Sequence, residues 1–425
     1  MSIRLLSVVL AMTVLATACA STSGKVLSDG PVESNSTATT FVPPLTGPFD
    51  PTGGAARDTT GAELIVDADY ATTLPRLLSS LPWDTDWSRR SFADWSELIR
   101  GLQQNDPRDV IPPIDSPVFE TVDAASQWLG PREPGALVRH GDEVRFYPLG
   151  ILTRHEIVND VIGDVPIAVT FCPLCNTAIT FDRRVDGEVL RLGVSGLLRN
   201  SDLVMWDATT LSLWQQLTGV GLVGEYAGTQ LDIIPSAIVS FEQFATDFPD
   251  GRSLAAESGG GRRAYGINPY RGYSTSESPF LFAGELDDRY PALSRVVGVD
   301  IGAGKAYPFS ELKQVGAIND TVDGQAIVVW LAGDTADALD DQAIAISQEI
   351  GTAVAFDRVV DGQELSFTAT DSDRFVDDQT GSIWSVLGLA VDGELEGTQL
   401  RLAPHRNEFW FAWAAFFADA TVYGG

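Results

Sequence analysis

Short segments rich in apolar and β-branched residues recur along this chain and are separated by turns that contain Gly, Asp and Pro, a pattern typical of strands. We predict strands over four of these segments: 166–171, 178–183, 203–206 and 231–234. The pair Asp186-Gly187 favours a tight hairpin turn between residues 179–184 and residues 189–194. The folded part of the chain is therefore expected to be mostly β.

Helical periodicity is limited to a few short segments. We predict helices at 124–129, 152–161, 241–248 and 409–417. In the second of these, His155 and Asn159 are four residues apart and would share one face, and Asn159-Asp160 is expected to cap or end the helix. Few helices among many strands predict an α+β fold that is mainly antiparallel β.

The chain contains an ordered internal repeat. Four pieces recur in the same order: Tyr147-Pro148 as Tyr307-Pro308, Asn159-Asp160 as Asn319-Asp320, Phe181-Asp182-Arg183 as Phe356-Asp357-Arg358, and Gly228-Thr229-Gln230-Leu231 as Gly397-Thr398-Gln399-Leu400. These matches predict two duplicated modules, 132–250 and 294–421, in a pseudo-twofold arrangement. A connector at 251–293 joins them, and an N-terminal arm at 62–131 is expected to pack on the first module.

The composition narrows the classes of partner. The chain has 425 residues, which is too long for one ordinary core, and 44% of them are hydrophobic, as in a soluble globular protein. Its formal net charge is −30, with 58 acidic and 28 basic residues. Such a surface repels nucleic acids and anionic lipid headgroups, so neither is expected as a partner.

Residues 1–19 have the pattern of an export signal, with Arg4 in the positive region and a short apolar run after it. Small residues precede Cys19, as in the bacterial lipoprotein box, and this resemblance implies cleavage before Cys19 and lipidation of its thiol. A plain secretory signal that is cleaved nearby is the alternative. Residues 20–61, rich in Ser, Thr, Gly and Pro, are expected to form a flexible tether. We therefore expect an extracytoplasmic protein that is anchored to the cell membrane by a lipid.

Apart from Cys19, the chain has two cysteines, and they form one C-x-x-C motif. Cys172 and Cys175 lie in the run Phe171-Cys172-Pro173-Leu174-Cys175-Asn176-Thr177. This spacing allows two sulfurs to form a disulfide, to share a metal ion or to exchange electrons with a partner.

The second module differs from the first around this motif. It lacks both cysteines, has Val315-Gly316 where the first module has a His-Glu pair, and shortens the segment that corresponds to 195–202. Polar residues that occur in only one copy are candidates for chemistry. We therefore predict one site in the first module, with His155, Glu156, Cys172 and Cys175 as catalytic candidates and Ser195, Arg199 and Asn200 as ligand-binding candidates.

Several motifs of this chain resemble those of a known family. They are His155-Glu156-Ile157-Val158-Asn159-Asp160, Phe171-Cys172-Pro173-Leu174-Cys175-Asn176-Thr177-Ala178, Phe181-Asp182-Arg183, Gly193-Val194-Ser195-Gly196-Leu197-Leu198 and Ser212-Leu213-Trp214-Gln215-Gln216-Leu217-Thr218-Gly219. Over roughly residues 80–421, the chain resembles the bacterial and archaeal family called domain of unknown function 3179. Some members of that family are selenoproteins, and selenocysteine in such a motif implies redox chemistry. In this chain both positions of the motif, 172 and 175, are cysteine and not selenocysteine.

The first chemistry open to the C-x-x-C pair is thiol–disulfide exchange. The attacking sulfur works as a thiolate, so its pKa must fall from about 8.5 toward neutrality. A protonated His155, or Arg199, would lower that pKa if either lies near the sulfurs. An exported protein of this kind also requires a redox partner protein that re-reduces the pair.

The second chemistry is metal binding, in which Cys172, Cys175 and His155 would supply ligands suited to zinc or copper, with Glu156 or a water in the fourth position. The third is a structural disulfide in a non-enzymatic envelope binding protein, since oxidation is the default outside the cytoplasm. A fourth alternative is Ser195 as a hydrolase nucleophile, although its surroundings lack the full G-x-S-x-G motif.

Overall fold

Antiparallel strands make up most of the computed structural model, in which strands account for 39% of the chain and helices for 14%. The predicted fold class, α+β and mainly antiparallel β, is therefore confirmed. The structure describes residues 64–260 and 265–424, all within one unit of the chain, Asp50–Gly425. The predicted export signal, the lipidation site Cys19 and the tether at 20–61 lie outside the described residues. Within the described ranges, no helix is both long and apolar enough to cross a bilayer.

The first part of the chain, residues 64–260, begins with the N-terminal arm and continues into the C-x-x-C region. Its strands are β1 (Ile65–Val66), β2 (Arg89–Arg90), β3 (Leu98–Arg100), β4 (Phe119–Thr121), β5 (Pro134–His140), β6 (Glu143–Pro148), β7 (Ile157–Ile162), β8 (Val165–Cys172), β9 (Thr177–Asp182), β10 (Arg184–Val185), β11 (Glu188–Val189), β12 (Leu192–Arg199), β13 (Asp202–Asp207), β14 (Leu213–Gln215), β15 (Gly221–Val223), β16 (Ile233–Ile234), β17 (Ser236–Ser240) and β18 (Arg252–Leu254). Its helices are α1 (Tyr70–Thr73), α2 (Arg76–Ser79), α3 (Val122–Ala125), α4 (Leu149–His155) and α5 (Phe241–Asp247), with 3-10 helices at Trp95–Glu97 and Ala256–Gly259.

The second part, residues 265–424, starts with an irregular connector. Its strands are β19 (Arg295–Val299), β20 (Lys305–Pro308), β21 (Ala317–Val322), β22 (Gln325–Ala332), β23 (Thr352–Asp357), β24 (Val359–Val360), β25 (Gln363–Glu364), β26 (Phe367–Ala369), β27 (Phe375–Asp377), β28 (Ile383–Trp384), β29 (Ala390–Asp392), β30 (His405–Phe409) and β31 (Thr421–Val422). Its helices are α6 (Phe309–Val315) and α7 (Trp410–Phe416), with a 3-10 helix at Ile344–Ile346.

The strands pair into small sheets whose order is similar in the two parts. In the first part, β17-β5-β6-β18-β4 forms one sheet and β16-β9-β8-β7 forms another. In the second part, β30-β19-β20-β31 and β21-β22-β23 follow the same orders, and the meander β26 to β29 corresponds to β12 to β15. This order of elements fits the predicted repeat, whereas the duplication itself and its pseudo-twofold axis stay predictions.

The predicted helix at 152–161 is wrong over its second half. Helix α4 ends at His155, Glu156 adopts a left-handed conformation with φ 59°, and the chain continues as β7. The β-branched residues of β7 pair along the whole of β8, and this tertiary pairing overrides the helical spacing. Asn159 therefore does not cap a helix, and its side-chain amide instead donates to the Asp115 carboxylate at 2.8 Å.

The predicted turn at Asp186-Gly187 is confirmed, but the hairpin around it is shorter than expected. Both residues have a positive φ (51° and 86°), as a two-residue type I′ turn requires. The turn joins only the ribbon β10-β11. Strand β9 pairs instead with β8 and β16, and β12 pairs with β13 and β3, because these longer pairings bury more apolar surface.

The N-terminal arm packs on the first part through a seven-stranded sheet, β1-β2-β15-β14-β13-β12-β3. An aromatic cluster fixes it there, in which Trp83 is 7% and Trp95 is 5% exposed. Burying a large apolar side chain stabilises a fold by about 1.5–3 kcal/mol. The register of β3 against β12 places Leu98 opposite Arg199, and this brings Glu97 to the Arg199 guanidinium.

Candidate functional site

The C-x-x-C motif forms the closed end of a buried hairpin. Cys172 is the last residue of β8 and pairs with Thr177, the first residue of β9. Pro173 restricts the backbone after Cys172, and Asn176 has φ 56°, a left-handed conformation that asparagine tolerates better than most residues. The Asn176 amide donates to the Pro173 carbonyl at 3.3 Å. The loop therefore has a defined shape that holds the two sulfurs near each other.

Both thiols are buried, and burial keeps them protonated. Cys172 is 1% exposed, Cys175 is fully buried, and both are free cysteines. Burial raises the pKa of the Cys172 thiol above its usual value and raises that of Cys175 well above it. Reactive cysteines show the opposite change, a lowered pKa. At neutral pH, this environment therefore favours two neutral thiols.

A carboxylate completes a group of three donors with the two sulfurs. The Cys172 Sγ, the Cys175 Sγ and an Asp202 carboxylate oxygen all lie within 4.8 Å of one another. Asp202 is the first residue of β13 and follows the turn Asn200-Ser201, whose positive φ values (51° and 68°) are those of a type I′ hairpin. The Ser201 carbonyl is 3.8 Å from the Cys172 Sγ. The tight turn thus lies directly against the C-x-x-C loop.

Two hydrogen bonds hold one oxygen of Asp202, and both thiols lie near the carboxylate. Oδ2 accepts hydrogen bonds from the Gln215 side chain at 2.6 Å and from the Leu217 amide at 2.9 Å. Oδ1 is buried without a hydrogen-bond partner among the described residues. Burial raises the pKa of Asp202 to about 6 in spite of these bonds. A half-satisfied buried carboxylate is costly unless a proton or a cation neutralises it.

Glu156 adds a second carboxyl group beside Cys172. It has φ 59° at the end of α4, and its carbonyl accepts a 2.8 Å hydrogen bond from the Phe171 amide at the end of β8. The corresponding helix end in the second part has Gly316, with φ 74°. A side chain in the left-handed conformation costs about 1–2 kcal/mol, a cost that glycine does not carry. Burial and the charge of Asp202 raise the pKa of Glu156 to about 8. A strained position that carries a buried acid makes Glu156 a candidate functional residue.

A third carboxyl group, that of Glu408, reaches this region from β30 in the second part of the chain. The Phe409 amide donates to the Cys175 carbonyl at 2.9 Å, which fixes β30 against the C-x-x-C loop. Glu408 is fully buried, and neither of its carboxylate oxygens has a hydrogen-bond partner among the described residues. Burial, with the charges of Asp202 and Asp300, raises the pKa of Glu408 to about 8.

His155, the predicted third metal ligand, lies outside this group of donors. Its Nδ1 is 2.7 Å from the Pro112 carbonyl oxygen, and its Nε2 is 2.8 Å from the Tyr265 hydroxyl. Because a carbonyl only accepts, Nδ1 carries a proton and donates to Pro112, and the Tyr265 hydroxyl occupies the other ring nitrogen. The structure therefore places Asp202, and not His155, as the third donor beside the sulfurs.

Arg199 supports Asp202 indirectly. Its guanidinium is fully buried, pairs with Glu97 at 2.9 Å and donates to the side-chain oxygen of Gln215 at 3.2 Å. The amide group of the same Gln215 donates to Asp202. A chain of hydrogen bonds thus runs from the N-terminal arm to the Asp202 carboxylate. The predicted ligand-binding residue Arg199 is a positioning residue in these contacts.

Ser195 and Asn200 shape the backbone around the site. The Ser195 hydroxyl donates to the Val204 carbonyl and accepts from the Leu197 amide at 3.0 Å, at a β-bulge between β12 and β13. A hydroxyl that is tied to two backbone groups has a structural role, so the structure offers no support for a nucleophilic one. Asn200 forms the first half of the turn before Asp202.

Aromatic residues of the connector cover the site. The Tyr273 hydroxyl donates to the Leu174 carbonyl in the C-x-x-C loop at 2.8 Å. The Ser201 hydroxyl donates to the Phe280 carbonyl. Tyr270 packs against the apolar cluster that contains both cysteines. These contacts account for the low exposure of the two thiols.

The sequence prediction missed Asp202 and Glu408. Asp202 lies in the segment 195–202 that the second module shortens, but an aspartate next to a turn is common for local reasons, so it was not selected. For Glu408 a signal existed in the repeat. Strand β30 pairs with β19 as β17 pairs with β5, and this register places Val239 where β30 has Glu408. An acid at the position of a buried valine indicates that this residue does more than pack the core.

The site brings together two thiols and three carboxyl groups, from Glu156, Asp202 and Glu408, all in the protein interior. These groups repel one another when ionised and carry protons when neutral. An entering cation can replace those protons. Two sulfurs with a carboxylate oxygen match the ligands that zinc takes in proteins.

The resemblance of the motifs is matched by a comparison with family models. The model of the family described as Protein of unknown function (DUF3179) matches residues 108–420, a range that contains the C-x-x-C loop, the turn before Asp202 and β30. No curated protein and no solved structure matches the chain. Because the match covers most of the chain and every cysteine and carboxylate of the site, the chain belongs to the DUF3179 family of proteins of unknown function.

Proposed function

We propose that this protein is an exported, lipid-anchored metal-binding protein whose buried centre holds a zinc ion. Cys172, Cys175 and Asp202 are the proposed ligands. The observation that carries the proposal is the meeting of two thiols and one carboxylate, all within 4.8 Å of one another and each at most 1% exposed. Zinc bonds to sulfur and oxygen are about 2.0–2.3 Å long, so these atoms need to move little to surround an ion.

The types of donor favour zinc over copper. Thiolates bind both zinc and Cu(I), whereas a carboxylate is an ordinary ligand of zinc and is not one that Cu(I) selects. Calcium and magnesium require more oxygen ligands than this site supplies. The proposal therefore keeps the predicted zinc and replaces His155 with Asp202 as the third ligand.

A zinc ion would also relieve the electrostatic cost of the site. It would displace the protons of Cys172 and Cys175, because a coordinating thiol is deprotonated outright. It would also give Asp202 Oδ1 a partner, where an unmade buried hydrogen bond costs about 1–3 kcal/mol. Both effects turn an unfavourable arrangement of acids into a binding site.

Thiol–disulfide exchange is the second candidate function. One observation favours it, since the two sulfurs lie within 4.8 Å of each other and a small movement would join them. Burial of both sulfurs and the raised pKa of both thiols argue against it, because exchange needs an accessible thiolate. A structural disulfide in an envelope binding protein would require the same closure without the exchange.

Export and lipid anchoring complete the proposal and rest on residues 1–19. A lipid on Cys19 would place the centre outside the cytoplasm, where neighbouring thiols oxidise readily. Bound zinc would protect Cys172 and Cys175 from that oxidation. The cover provided by the connector has a purpose under this proposal, since it keeps oxidants from the sulfurs.

The test is to measure the metal content and the state of the thiols in the same sample. The full chain is purified anaerobically without chelator, and zinc and copper are measured by elemental analysis alongside a thiol titration. We expect stoichiometric zinc in the wild type and its loss in Cys172→Ser and in Asp202→Asn. His155→Gln is the control and should retain zinc.

Other outcomes would replace the proposal. Metal-free protein whose two thiols convert reversibly to a disulfide at a mild potential would establish the redox function instead. A disulfide that resists reduction until the protein unfolds would leave the structural function. Loss of zinc in His155→Gln but not in Asp202→Asn would restore the ligand set predicted from sequence.

A further inference from the structure

Glu408 is a buried acid that a site with three ligands leaves unexplained. It is fully buried on β30, and both carboxylate oxygens are without hydrogen-bond partners among the described residues. Burying a carboxyl group in this way costs free energy that neither oxygen recovers. Strand β17 has Val239 at the corresponding register position, so a strand in this place does not require an acid.

The charge of the nearest cation along the strand lowers the pKa of Glu408, but this cation does not outweigh the effect of burial. Arg406 lies two residues earlier on β30 and therefore on the same face. Its guanidinium binds Asp300 at 2.5 Å and the Leu217 carbonyl at 3.2 Å. Arg406 and Asp300 are each 3% exposed and form a buried pair. Because Arg406 donates to these other groups, both oxygens of Glu408 stay without hydrogen-bond partners among the described residues and are available to a second cation.

The surroundings of Glu408 point to the C-x-x-C loop. The next residue, Phe409, donates its amide to the Cys175 carbonyl at 2.9 Å. The Glu408 charge acts on the Cys175 thiol and on Asp202. Space is left for the carboxyl group by Gly298, where an added Cβ would lie 2.9 Å from Glu408 Oε1.

We infer that Glu408 is the fourth ligand of the zinc site, so that the ion joins the C-x-x-C loop to β30 of the second part. The inference rests on the proposed function. The Glu408 carboxylate lies outside the group of donors that are all within 4.8 Å, so its side chain rotates toward the ion on binding. Two sulfurs and two carboxylate oxygens then give four ligands, the coordination number of structural zinc sites, all of them from donor types that zinc accepts.

Because its ligands come from both parts of the chain, the ion would hold β30 against the C-x-x-C hairpin. Strand β30 packs against β9 and continues directly into α7, whose aromatic residues belong to the same core cluster as both cysteines. Binding of zinc therefore stabilises the attachment of the β30-α7 segment to the C-x-x-C hairpin. Removal of zinc is expected to loosen this segment before the rest of the fold.

The experiment compares the zinc affinity of three full-length chains by competition with a chromophoric chelator: wild type, Glu408→Gln and Glu133→Gln. Glu133 is the matched control, since it is a second buried glutamate, 6% exposed, whose carboxylate accepts from the Gly130 amide. We expect Glu408→Gln to weaken zinc binding by at least about 10-fold and Glu133→Gln to leave it unchanged. Cobalt in place of zinc gives a second readout. The ligand-field bands should change in Glu408→Gln, while the thiolate-to-metal charge-transfer band remains.

The outcomes separate this inference from the proposed function. Equal zinc affinity and an equal cobalt spectrum in wild type and Glu408→Gln would overturn the inference and leave the three-ligand site intact. A folded wild type that binds no zinc would overturn both. If Glu408→Gln fails to fold, Glu408→Asp and Glu408→Val replace it. Weakened binding in the first and a larger loss in the second support the inference, and wild-type affinity in both overturns it.

Discussion

The Gln215 side chain donates a 2.6 Å hydrogen bond to the Asp202 carboxylate. Its oxygen accepts from the Arg199 guanidinium at 3.2 Å, so the amide cannot flip without placing two donors against each other. Gln215, Asp202 and Arg199 are all fully buried. This bond therefore fixes one oxygen of Asp202 and leaves the other available to a ligand.

Gln215→Leu should weaken zinc binding by about 10–100-fold, because groups that orient a ligand contribute to affinity on this scale. It should also lower the free energy of unfolding by about 1–3 kcal/mol, since Arg199 and Asp202 each lose a buried partner. Chelator competition and urea unfolding measure the two effects. Gln399→Leu is the control, because this glutamine belongs to the second part and its amide bonds the Leu387 carbonyl at 2.7 Å. Unchanged zinc affinity in Gln215→Leu would contradict the orienting role.

Glu156→Gly should stabilise the chelator-treated protein by about 1 kcal/mol, because it removes a side chain from a left-handed backbone position. It also removes a buried acid, whereas the greater freedom of glycine in the unfolded chain offsets part of the gain. The measurement is the free energy of unfolding in urea. Gly316→Ala is the reciprocal variant and should destabilise, since its Cβ would lie 2.3 Å from that of Ala369. Destabilisation by Glu156→Gly would show that Glu156 serves the fold rather than the site.

The sequence was sufficient for those features that depend on short-range pattern. The strands on either side of the C-x-x-C loop and the turn at Asp186-Gly187 follow from residue type and spacing, and the structure has them. The helix at 152–161 failed in its second half because pairing of β7 with β8 decides that segment, and pairing partners are not visible in local spacing. Long-range contacts therefore determine whether such a segment becomes a helix or a strand.

The residues of the site also depend on long-range contacts that the sequence does not show. Cys172, Cys175 and Glu156 were found because they distinguish the first copy of the repeat from the second. Asp202 belongs to the segment 195–202, which also differs between the copies, but it was not selected, because only the tight turn before it brings the side chain to the sulfurs. His155 was chosen on the same ground, but the Pro112 carbonyl and the Tyr265 hydroxyl face its ring nitrogens. Differences between the two copies therefore located the region of the site but did not show which of its side chains face the sulfurs.

Labelling of the two thiols in the folded protein should be slow. Cys172 and Cys175 are at most 1% exposed, and their pKa values are raised, so a thiol reagent at neutral pH has neither access nor a thiolate. We expect the labelling rate to follow local opening of the connector, to rise in Tyr273→Phe, which loses its bond to the Leu174 carbonyl, and to fall when zinc is added. Tyr290→Phe, on the same connector, is the control. Wild-type labelling as fast as that of a denatured chain would favour an accessible redox pair instead.

Stability of the chelator-treated protein should depend on pH through Glu156, whose pKa burial raises to about 8 from an ordinary value of 4.5. An acid with a raised folded-state pKa contributes stability that is complete below the unfolded-state pKa and is lost as pH rises through the folded-state one. The window therefore runs from about pH 4.5 to about pH 8. Other carboxyl groups, such as Asp106, have a lowered pKa and give the opposite slope, so the informative quantity is the difference between wild type and Glu156→Gln.

Relative to wild type, Glu156→Gln should gain stability as pH rises across this window, because it carries no proton to lose. Urea unfolding at several pH values measures the difference. Zinc affinity should change in the opposite sense and increase with pH, since the ion binds deprotonated thiols and carboxylates. A stability difference that stays constant between pH 5 and pH 8 would mean that Glu156 is solvated in solution, and its place beside the Cys172 thiol would then need another explanation.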